Sequence, residues 1–163
     1  MKLDKTDLKI LEILQNNGRI TNAELAQKIG ISPPPALDRV RKLEKAGIIK
    51  KYAAIIDPQS VGIKMFAFVE VTLRIHGSRA VKDFLEAALK LEEVLECHHV
   101  TGDADFLLKI AVGNILIYEK LLLNKLLELP QIQHLKTLVV LSSPKIETAI
   151  AVNNNDESGS EKT

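Results

Sequence analysis

Apolar residues recur every three or four positions along the first 47 residues, a spacing typical of amphipathic helices. Asp4 and Asp7 suit the first turn of a helix predicted over residues 4–16. Thr21 and Glu24 have the spacing of a capping box, in which each side chain binds the backbone N–H of the other residue. A short second helix is therefore expected to begin there.

A third helix is predicted to follow closely, because Ser32 suits an N-cap and Pro33-Pro34-Pro35 is tolerated in a first helical turn. The short turn at Gly30 indicates a helix-turn-helix motif. Alternating residues over 48–56 then predict a short strand, or wing. An ordinary three-helix bundle remains the alternative interpretation. The apolar positions of the three helices are Leu8, Leu11 and Leu14, then Leu25, Ala26 and Ile29, then Ala36, Val40 and Leu43.

The second half of the chain changes from a helical period to a period of two, which indicates strands. The predicted order of elements is β-α-β-β-α-β, the ferredoxin-like arrangement. Its strands are expected over 65–75, 94–100, 106–112 and 133–141, and its helices over 78–89, capped by Ser78, and 113–129. Alternation over 147–152 predicts a further edge strand, and residues 153–163 lack apolar side chains and are expected to be disordered.

These patterns predict an α+β protein with two domains. We expect a winged helix-turn-helix domain over residues 1–58, a linker over 59–64 and a ferredoxin-like βαββαβ domain over 65–152. The acidic tail would occupy 153–163.

Composition narrows the class of protein. The 163 residues include 22 Lys and Arg and 21 Asp and Glu, and the near balance argues against a wholly basic nucleic-acid binder. Aromatic residues make up 4%, which argues against platforms for stacking bases. The single cysteine forms no internal disulfide, and no apolar run approaches the roughly 18 residues of a membrane helix. A cytoplasmic location without a membrane partner is therefore expected.

The charge is distributed unevenly along the chain. Residues 1–60 hold 11 basic and 7 acidic residues, whereas residues 61–152 carry a net charge of −1 and residues 153–163 carry −2. The positive excess is concentrated between Ser32 and Lys51, in and after the third helix. Such an excess is expected of a surface that faces phosphates, although a solvated helix face would also carry it.

Two segments resemble a known family. Residues 32–49, SPPPALDRVRKLEKAGII, resemble the recognition helix and wing entry of the leucine-responsive regulatory protein/AsnC (feast–famine) transcriptional regulators of prokaryotes. Residues 97–109, CHHVTGDADFLLK, with LELP at 127–130, resemble the effector-domain signature of that family. The likeness keeps the same order and spacing from residue 3 to about 150. It implies a DNA reader joined to an amino-acid-binding domain, in dimers that assemble into tetramers or octamers.

The third helix carries the candidate contacts to double-stranded DNA. Arg39 is predicted to pair bidentately with guanine. Asp38 either accepts a hydrogen bond from cytosine or forms a salt bridge with Arg41 or Lys42 along the helix. Phosphate contacts are expected at the helix N-terminus, through backbone N–H groups and the helix dipole, and in the wing. The predicted DNA-binding residues are Ser32, Pro34, Asp38, Arg39, Arg41, Lys42, Lys50 and Lys51.

Gly102-Asp103-Ala104-Asp105 is the candidate effector site. A carboxylate can hold an α-ammonium group, and a glycine turn can present backbone N–H groups to an α-carboxylate. The residues alone are more typical of a hairpin turn, whereas the resemblance favours effector contact. The predicted effector-binding residues are Thr101, Gly102, Asp103, Asp105 and, from the last strand, Thr137.

Cys97, His98 and His99 suggest a metal site at first sight. On a strand, however, only Cys97 and His99 share a face, so this segment offers two ligands at most. His76 and His134 have no spacing that completes a tetrahedral set. Neither a metal nor another cofactor is expected.

The sequence thus predicts a sequence-specific DNA-binding transcriptional regulator. Its oligomeric assembly and operator affinity are expected to respond to a small effector, an amino acid. The alternatives are a small enzyme on the ferredoxin-like half, and an adaptor that binds no operator. An enzyme is not expected, because the paired aspartates lack a companion nucleophile or phosphate loop.

Overall fold

The computed structural model describes residues 1–75 and 77–152, which form two compact units. Met1–Ile55 and residues 145–152 belong to the first unit, and Ile56–Pro144 forms the second. The helices of the first unit are α1 (Lys5–Asn16), α2 (Asn22–Ile29) and α3 (Pro33–Lys45). The second unit contains a 3-10 turn (Gln59–Val61), β1 (Met65–Leu73), α4 (Ser78–Ala88), β2 (Val94–His99), β3 (Phe106–Val112), α5 (Ile115–Leu121), a π-helical turn (Leu122–Leu126) and β4 (Ile132–Val139).

Side-chain caps fix the starts of α1 and α2, as the sequence predicts. The backbone N–H of Asp7 donates to Asp4 Oδ1 at 2.8 Å, and the N–H of Asp4 donates to Asp7 Oδ2 at 3.1 Å. Thr21 and Glu24 form the same reciprocal box at α2. Gly30 then ends α2 with φ +75°, a left-handed conformation that favours glycine.

The core of the first unit differs from the predicted stripe on α1. Ile10, rather than Leu8, Leu11 and Leu14, is the fully buried apolar residue of that helix. It packs with Leu25, Val40 and Leu43 from α2 and α3. The three leucines are only partly buried, because α1 carries apolar side chains on two faces and its period does not say which face meets α2 and α3.

The strand predicted over residues 48–56 does not form. Residues 50–56 have no assigned secondary structure, although Tyr52 is attached to α3 by a 3.0 Å hydrogen bond to Glu44. A strand needs a neighbour with which to exchange backbone hydrogen bonds, and this segment has none in the described chain.

The second unit has the ferredoxin-like arrangement, which confirms the predicted fold class. Its sheet has the order β2-β3-β1-β4, and each neighbouring pair is antiparallel. Alternate residues of β1, from Met65 to Leu73, are buried in one core with Phe84 of α4 and Tyr118 of α5. The residues between them lie on the opposite, open face of the sheet.

Two details of this unit correct the sequence predictions. The N-cap of α4 is Gly77, one residue before the predicted cap Ser78. The predicted long helix over 113–129 is the seven-residue α5, capped by Asn114, followed by the π-helical turn. The apolar run over residues 121–127 gives no signal of such a change in hydrogen bonding.

Two predictions concern the C-terminal part of the chain. The edge strand over 147–152 is absent, and this segment belongs to the first unit rather than to the sheet. The predicted disordered tail, 153–163, lies outside the described residues. Among the helices described, none has both the length and the apolar character needed to cross a bilayer.

Candidate nucleic-acid interface and effector loop

One face of α3 is exposed along its whole length. Asp38, Arg41, Lys42 and Lys45 are spaced i, i+3, i+4 and i+7, so they lie on the same side of the helix. The opposite side buries Ala36, Val40 and Leu43, which hold the helix against α1 and α2. We call the first four residues the recognition surface. Lys45 belongs to this surface although it is not among the DNA-binding residues predicted from the sequence. Its i, i+4 spacing from Arg41 is the sequence feature that places it there.

The cations of this region have no acidic partner among the described residues. Arg41, Lys42 and Lys45 are exposed, as are Lys50 and Lys51 immediately after the helix. Across residues 1–75 and 77–152, none of the five forms an ion pair. The salt bridge considered for Asp38 is also absent from this part of the chain. The positive charge is therefore available to a phosphate backbone.

The N-terminus of α3 differs from the expected anion site. Ser32 is the N-cap, but its side chain makes no capping hydrogen bond. Pro33, Pro34 and Pro35 fill the first turn, and proline has no backbone N–H. The N–H of Ala36 donates to the Ser32 carbonyl oxygen at 3.3 Å. Pro33, Pro34 and Pro35 therefore offer no backbone N–H to an anion at this terminus, and the Ser32 hydroxyl is not used in a cap.

Arg39 lies between the buried side of α3 and the recognition surface, and its guanidinium is bound to α1. Its Nη1 donates to Asp4 Oδ2 at 2.6 Å and to Asp7 Oδ1 at 2.7 Å. The Asp7 side chain is 7% exposed, and that of Arg39 is 33% exposed. The backbone N–H of Asp7, followed by Arg39, lowers the pKa of Asp4, and the two carboxylates raise the pKa of Arg39.

The candidate effector loop connects β2 to β3. Thr101, Gly102 and Asp103 are exposed, and Gly102 has φ +120°, which favours glycine. The loop is attached to β1, because the N–H of Asp105 donates to the Val71 carbonyl oxygen at 2.9 Å. The loop therefore presents the Asp103 carboxylate on a fixed support.

Two of the predicted effector residues already have partners within the second unit. Asp105 Oδ2 accepts a 2.7 Å hydrogen bond from the N–H of Leu73, at the end of β1 where the register with β4 shifts. The Thr137 hydroxyl lies 2.5 Å from the hydroxyl of Tyr118, a residue that is 4% exposed. Thr137 is opposite Val69 on the sheet, whereas the loop is bound to the last residues of β1. The structure thus places Thr101, Gly102 and Asp103 in one exposed loop. The Thr137 hydroxyl, by contrast, lies on the side of the sheet that the helices cover.

The cysteine and the two histidines at the end of β2 lie in different surroundings. Cys97 packs against the core, where burial raises the pKa of its thiol, while His98 lies 3.0 Å from Glu96 Oε2. His99 stacks on Phe106 with ring centroids 4.8 Å apart. No three His, Cys, Asp or Glu side chains in the described ranges are grouped so that they could hold a metal ion.

A three-helix unit with a basic recognition surface, joined to a ferredoxin-like unit with an exposed loop, defines a class of protein: a helix-turn-helix regulator with a ligand-binding domain. Comparison with known families agrees with this. Residues 3–50 match the model of the winged helix-turn-helix DNA-binding domain, and residues 66–150 match that of the Lrp/AsnC ligand binding domain. The chain belongs to the Lrp/AsnC family of DNA-binding transcriptional regulators.

Individual relatives are similar over nearly the whole chain. The leucine-responsive regulatory proteins of Klebsiella pneumoniae and Escherichia coli K12 are each 41% identical over 150 residues, which is 92% of this chain and 92% of theirs. A transcriptional regulator of Neisseria meningitidis, solved in complex with L-Met, is 39% identical with a TM-score of 0.88, covering 93% of this chain and 98% of that one. The AsnC structure of E. coli is 31% identical with a TM-score of 0.84, covering 91% and 99%.

Proposed function

We propose that the recognition surface reads base edges in the major groove, and that Ser32, Pro34, Lys50 and Lys51 lie along the DNA backbone. The observation that carries this proposal is the set of five exposed cations without an acidic partner in the described chain. On the recognition surface, Arg41, Lys42 and Lys45 can donate to guanine, and Asp38 can accept from cytosine. Arg39 has no part in this surface, because Asp4 and Asp7 hold its guanidinium.

The salt dependence of DNA binding tests the proposed contacts to the DNA backbone. With about four to six phosphate contacts per dimer, log K is expected to fall against log salt with a slope of roughly −4 to −5. Lys50→Ala removes one proposed phosphate contact from each subunit, so the slope should become shallower by about 2. Lys82→Ala on α4, an exposed lysine paired with Glu86, is the matched control and should leave the slope unchanged. An unchanged slope for Lys50→Ala would contradict the proposed backbone contacts.

We also propose that the effector is an amino acid held by the loop Thr101, Gly102 and Asp103. The exposed Asp103 carboxylate suits an α-ammonium group. The L-Met complex of the Neisseria regulator and the leucine-responsive relatives support an amino acid as the class of ligand. Asp105 contributes to this site by anchoring the loop to β1. Thr137 contributes less directly, because its hydroxyl is hydrogen-bonded to the hydroxyl of Tyr118.

A thermal-shift screen with the twenty amino acids tests the effector loop. Asp103→Ala should abolish the shift and leave the melting temperature of the free protein unchanged, because this side chain is exposed. Asp105→Ala should lower that temperature even without ligand, because it leaves the N–H of Leu73 unpaired, at a cost of about 1–3 kcal/mol. A full ligand shift in Asp103→Ala would exclude this loop as the site.

The open face of the sheet supports a homodimer as the basic assembly, and we propose that dimers associate further into tetramers or octamers in the cytoplasm. Effector binding would then change the spacing of paired recognition helices and hence the affinity for an operator. A coupling free energy of about 1–3 kcal/mol is typical of such systems and corresponds to roughly a 5- to 150-fold response.

A further inference from the structure

Asp4, Asp7 and Arg39 form a closed network between the start of α1 and the middle of α3. Each aspartate uses one carboxylate oxygen to accept the backbone N–H of the other and its second oxygen to accept Nη1 of Arg39. All four carboxylate oxygens are thereby paired. The same box that caps α1 also binds the recognition helix, across 35 and 32 positions of the chain.

The environment of this network suits a structural connection better than a DNA contact. The Asp7 side chain is 7% exposed, and a buried carboxylate that loses its cationic partner is strongly destabilising. Arg39 would have to leave Asp7 unpaired in order to reach a base. The two aspartates also outweigh the charge of Arg39, so this part of the helix offers no net positive charge to a phosphate.

The network also constrains the orientation of α3. The buried apolar contacts of α3 come from Ala36, Val40 and Leu43, which are not directional. The hydrogen bonds of Arg39 are directional, and they fix the rotation of α3 about its own axis relative to α1. Base readout depends on such an orientation, since functional groups must be held to within about 0.5 Å and 10–20°.

We propose that Arg39 is a positioning residue for DNA recognition: it orients the recognition surface through Asp4 and Asp7 and touches no base. This proposal rests on the proposed function of α3 as the reading helix. It assigns sequence preference to a residue that does not face the DNA and gives the capping aspartates of α1 the same role.

The two possible roles of Arg39 predict opposite effects on DNA binding when its partner Asp7 is substituted. If Asp7 positions Arg39, then Asp7→Asn should weaken specific binding. If Asp7 merely restrains an arginine that reads DNA, then Asp7→Asn should release the arginine and strengthen binding. The sign of this effect decides between them.

The experiment uses the full chain with a duplex that the wild-type protein selects from a random library, and a random duplex as the non-specific probe. Dissociation constants are measured at several salt concentrations, well below the melting temperature of every variant. Arg39→Gln and Asp7→Asn are each expected to reduce the ratio of specific to non-specific affinity about tenfold, without changing the salt slope. Their combination should be no worse than either alone, because both remove the same interaction.

Two further variants complete the comparison. Lys50→Gln, the control for a backbone contact, should make the salt slope shallower by about 2 and leave the ratio of specific to non-specific affinity nearly unchanged. Asp4→Asn removes the more exposed partner, so it should fold and lose two- to threefold in the ratio even if Arg39→Gln or Asp7→Asn does not fold.

Tighter specific binding in Asp7→Asn would overturn the proposal, as would an unchanged ratio in all three network variants. A wild-type protein that selects no sequence would contradict the proposed function itself. The latter failure is recognised before any variant is compared.

Discussion

Tyr52 is the residue that attaches the segment after α3 to the helix itself. Burial raises the pKa of Tyr52 to about 12, and the Glu44 carboxylate, which accepts a hydrogen bond from the Tyr52 hydroxyl, adds to this shift. The folded protein therefore favours the neutral phenol. This contribution to stability is complete below the ordinary pKa of about 10 and is lost as the pH rises from about 10 towards 12.

We predict that Tyr52→Phe lowers the free energy of unfolding at pH 7 by about 0.5–1.5 kcal/mol, the contribution of one hydrogen bond. The difference from wild type should shrink above pH 10. Chemical denaturation at a series of pH values measures both effects.

Tyr118→Phe is the control for the titration, since Tyr52 is then the sole tyrosine. Ultraviolet absorbance should detect little tyrosinate at pH 10 in that variant. Half-ionisation at pH 10, with the fold intact by circular dichroism, would contradict the assigned environment of Tyr52.

At the scale of secondary-structure elements, α1 serves two neighbours. Its buried face packs on α2 and α3 through Ile10, while Leu8, Leu11 and Leu14 line a groove of about 520 Å³ with residues 48–52 and the C-terminal residues 150–152. Gln15 holds the C-terminal segment there: its Nε2 donates to the Ile150 carbonyl oxygen at 3.0 Å, and the Ile150 N–H donates to its Oε1 at 2.8 Å. The side-chain amide of Gln15 thus makes the two hydrogen bonds to the Ile150 backbone that a neighbouring strand would otherwise make.

We predict that Gln15→Ala releases residues 147–152 from this groove. The two lost hydrogen bonds contribute about 1 kcal/mol each, which is sufficient to increase the exchange rate of the Ile150 amide several-fold. Hydrogen exchange measures this directly. Gln27→Ala, at an exposed position of α2, should have no effect on the same amide. Equal exchange in the wild type and in Gln15→Ala would show that the segment is held by other contacts.

At the scale of the whole molecule, the open face of the sheet carries apolar side chains that a single chain leaves incompletely buried. Phe66 and Phe68 of β1 lie on this face, beside Leu107 of β3 and Leu138 of β4. Leu138 is 41% exposed, and burying such side chains contributes about 25 cal/mol per Å² of apolar surface. This apolar patch, bordered by the Glu70–Lys136 and Glu96–Lys109 ion pairs, is suited to a second copy of the same face.

We predict that Phe68→Asp converts the assembly to monomers, because it would place carboxylates at the centre of an apolar interface. Size-exclusion chromatography with light scattering measures the mass. DNA affinity should fall with it, since two linked recognition helices bind more tightly than one. Leu89→Asp, at the exposed C-cap of α4, introduces the same charge change elsewhere and should leave the mass unchanged. An assembly that survives Phe68→Asp would place the subunit contact on another surface.

Features that depend on residues close together in the sequence were predictable. The Thr21–Glu24 capping box, the aspartates at the start of α1, the three N-terminal helices and the alternation of β1 depend on residues within a few positions of one another. The exposed face of α3 follows from the same periodicity. The strands expected over 48–56 and 147–152 failed because alternation alone supplies no hydrogen-bonding neighbour.

Side-chain partners that are distant in sequence were not predictable. Nothing in the local pattern pairs Arg39 with Asp4 and Asp7, and an arginine on a basic helix is as suitable for DNA as for an ion pair. Asp105 is similar: its place in a glycine-aspartate turn suggests a ligand contact, and the structure assigns its carboxylate to the N–H of Leu73.

The sequence by itself determined the order of the elements, the two-part α+β architecture and the concentration of cations around α3, because all three depend on local periodicity and composition. The tertiary structure decided which of those cations are available and which aspartates have internal partners. The physical reason is that charge neutralisation and hydrogen bonding act through space: Arg41 and Arg39 lie two positions apart, yet one is exposed and the other is bound to α1.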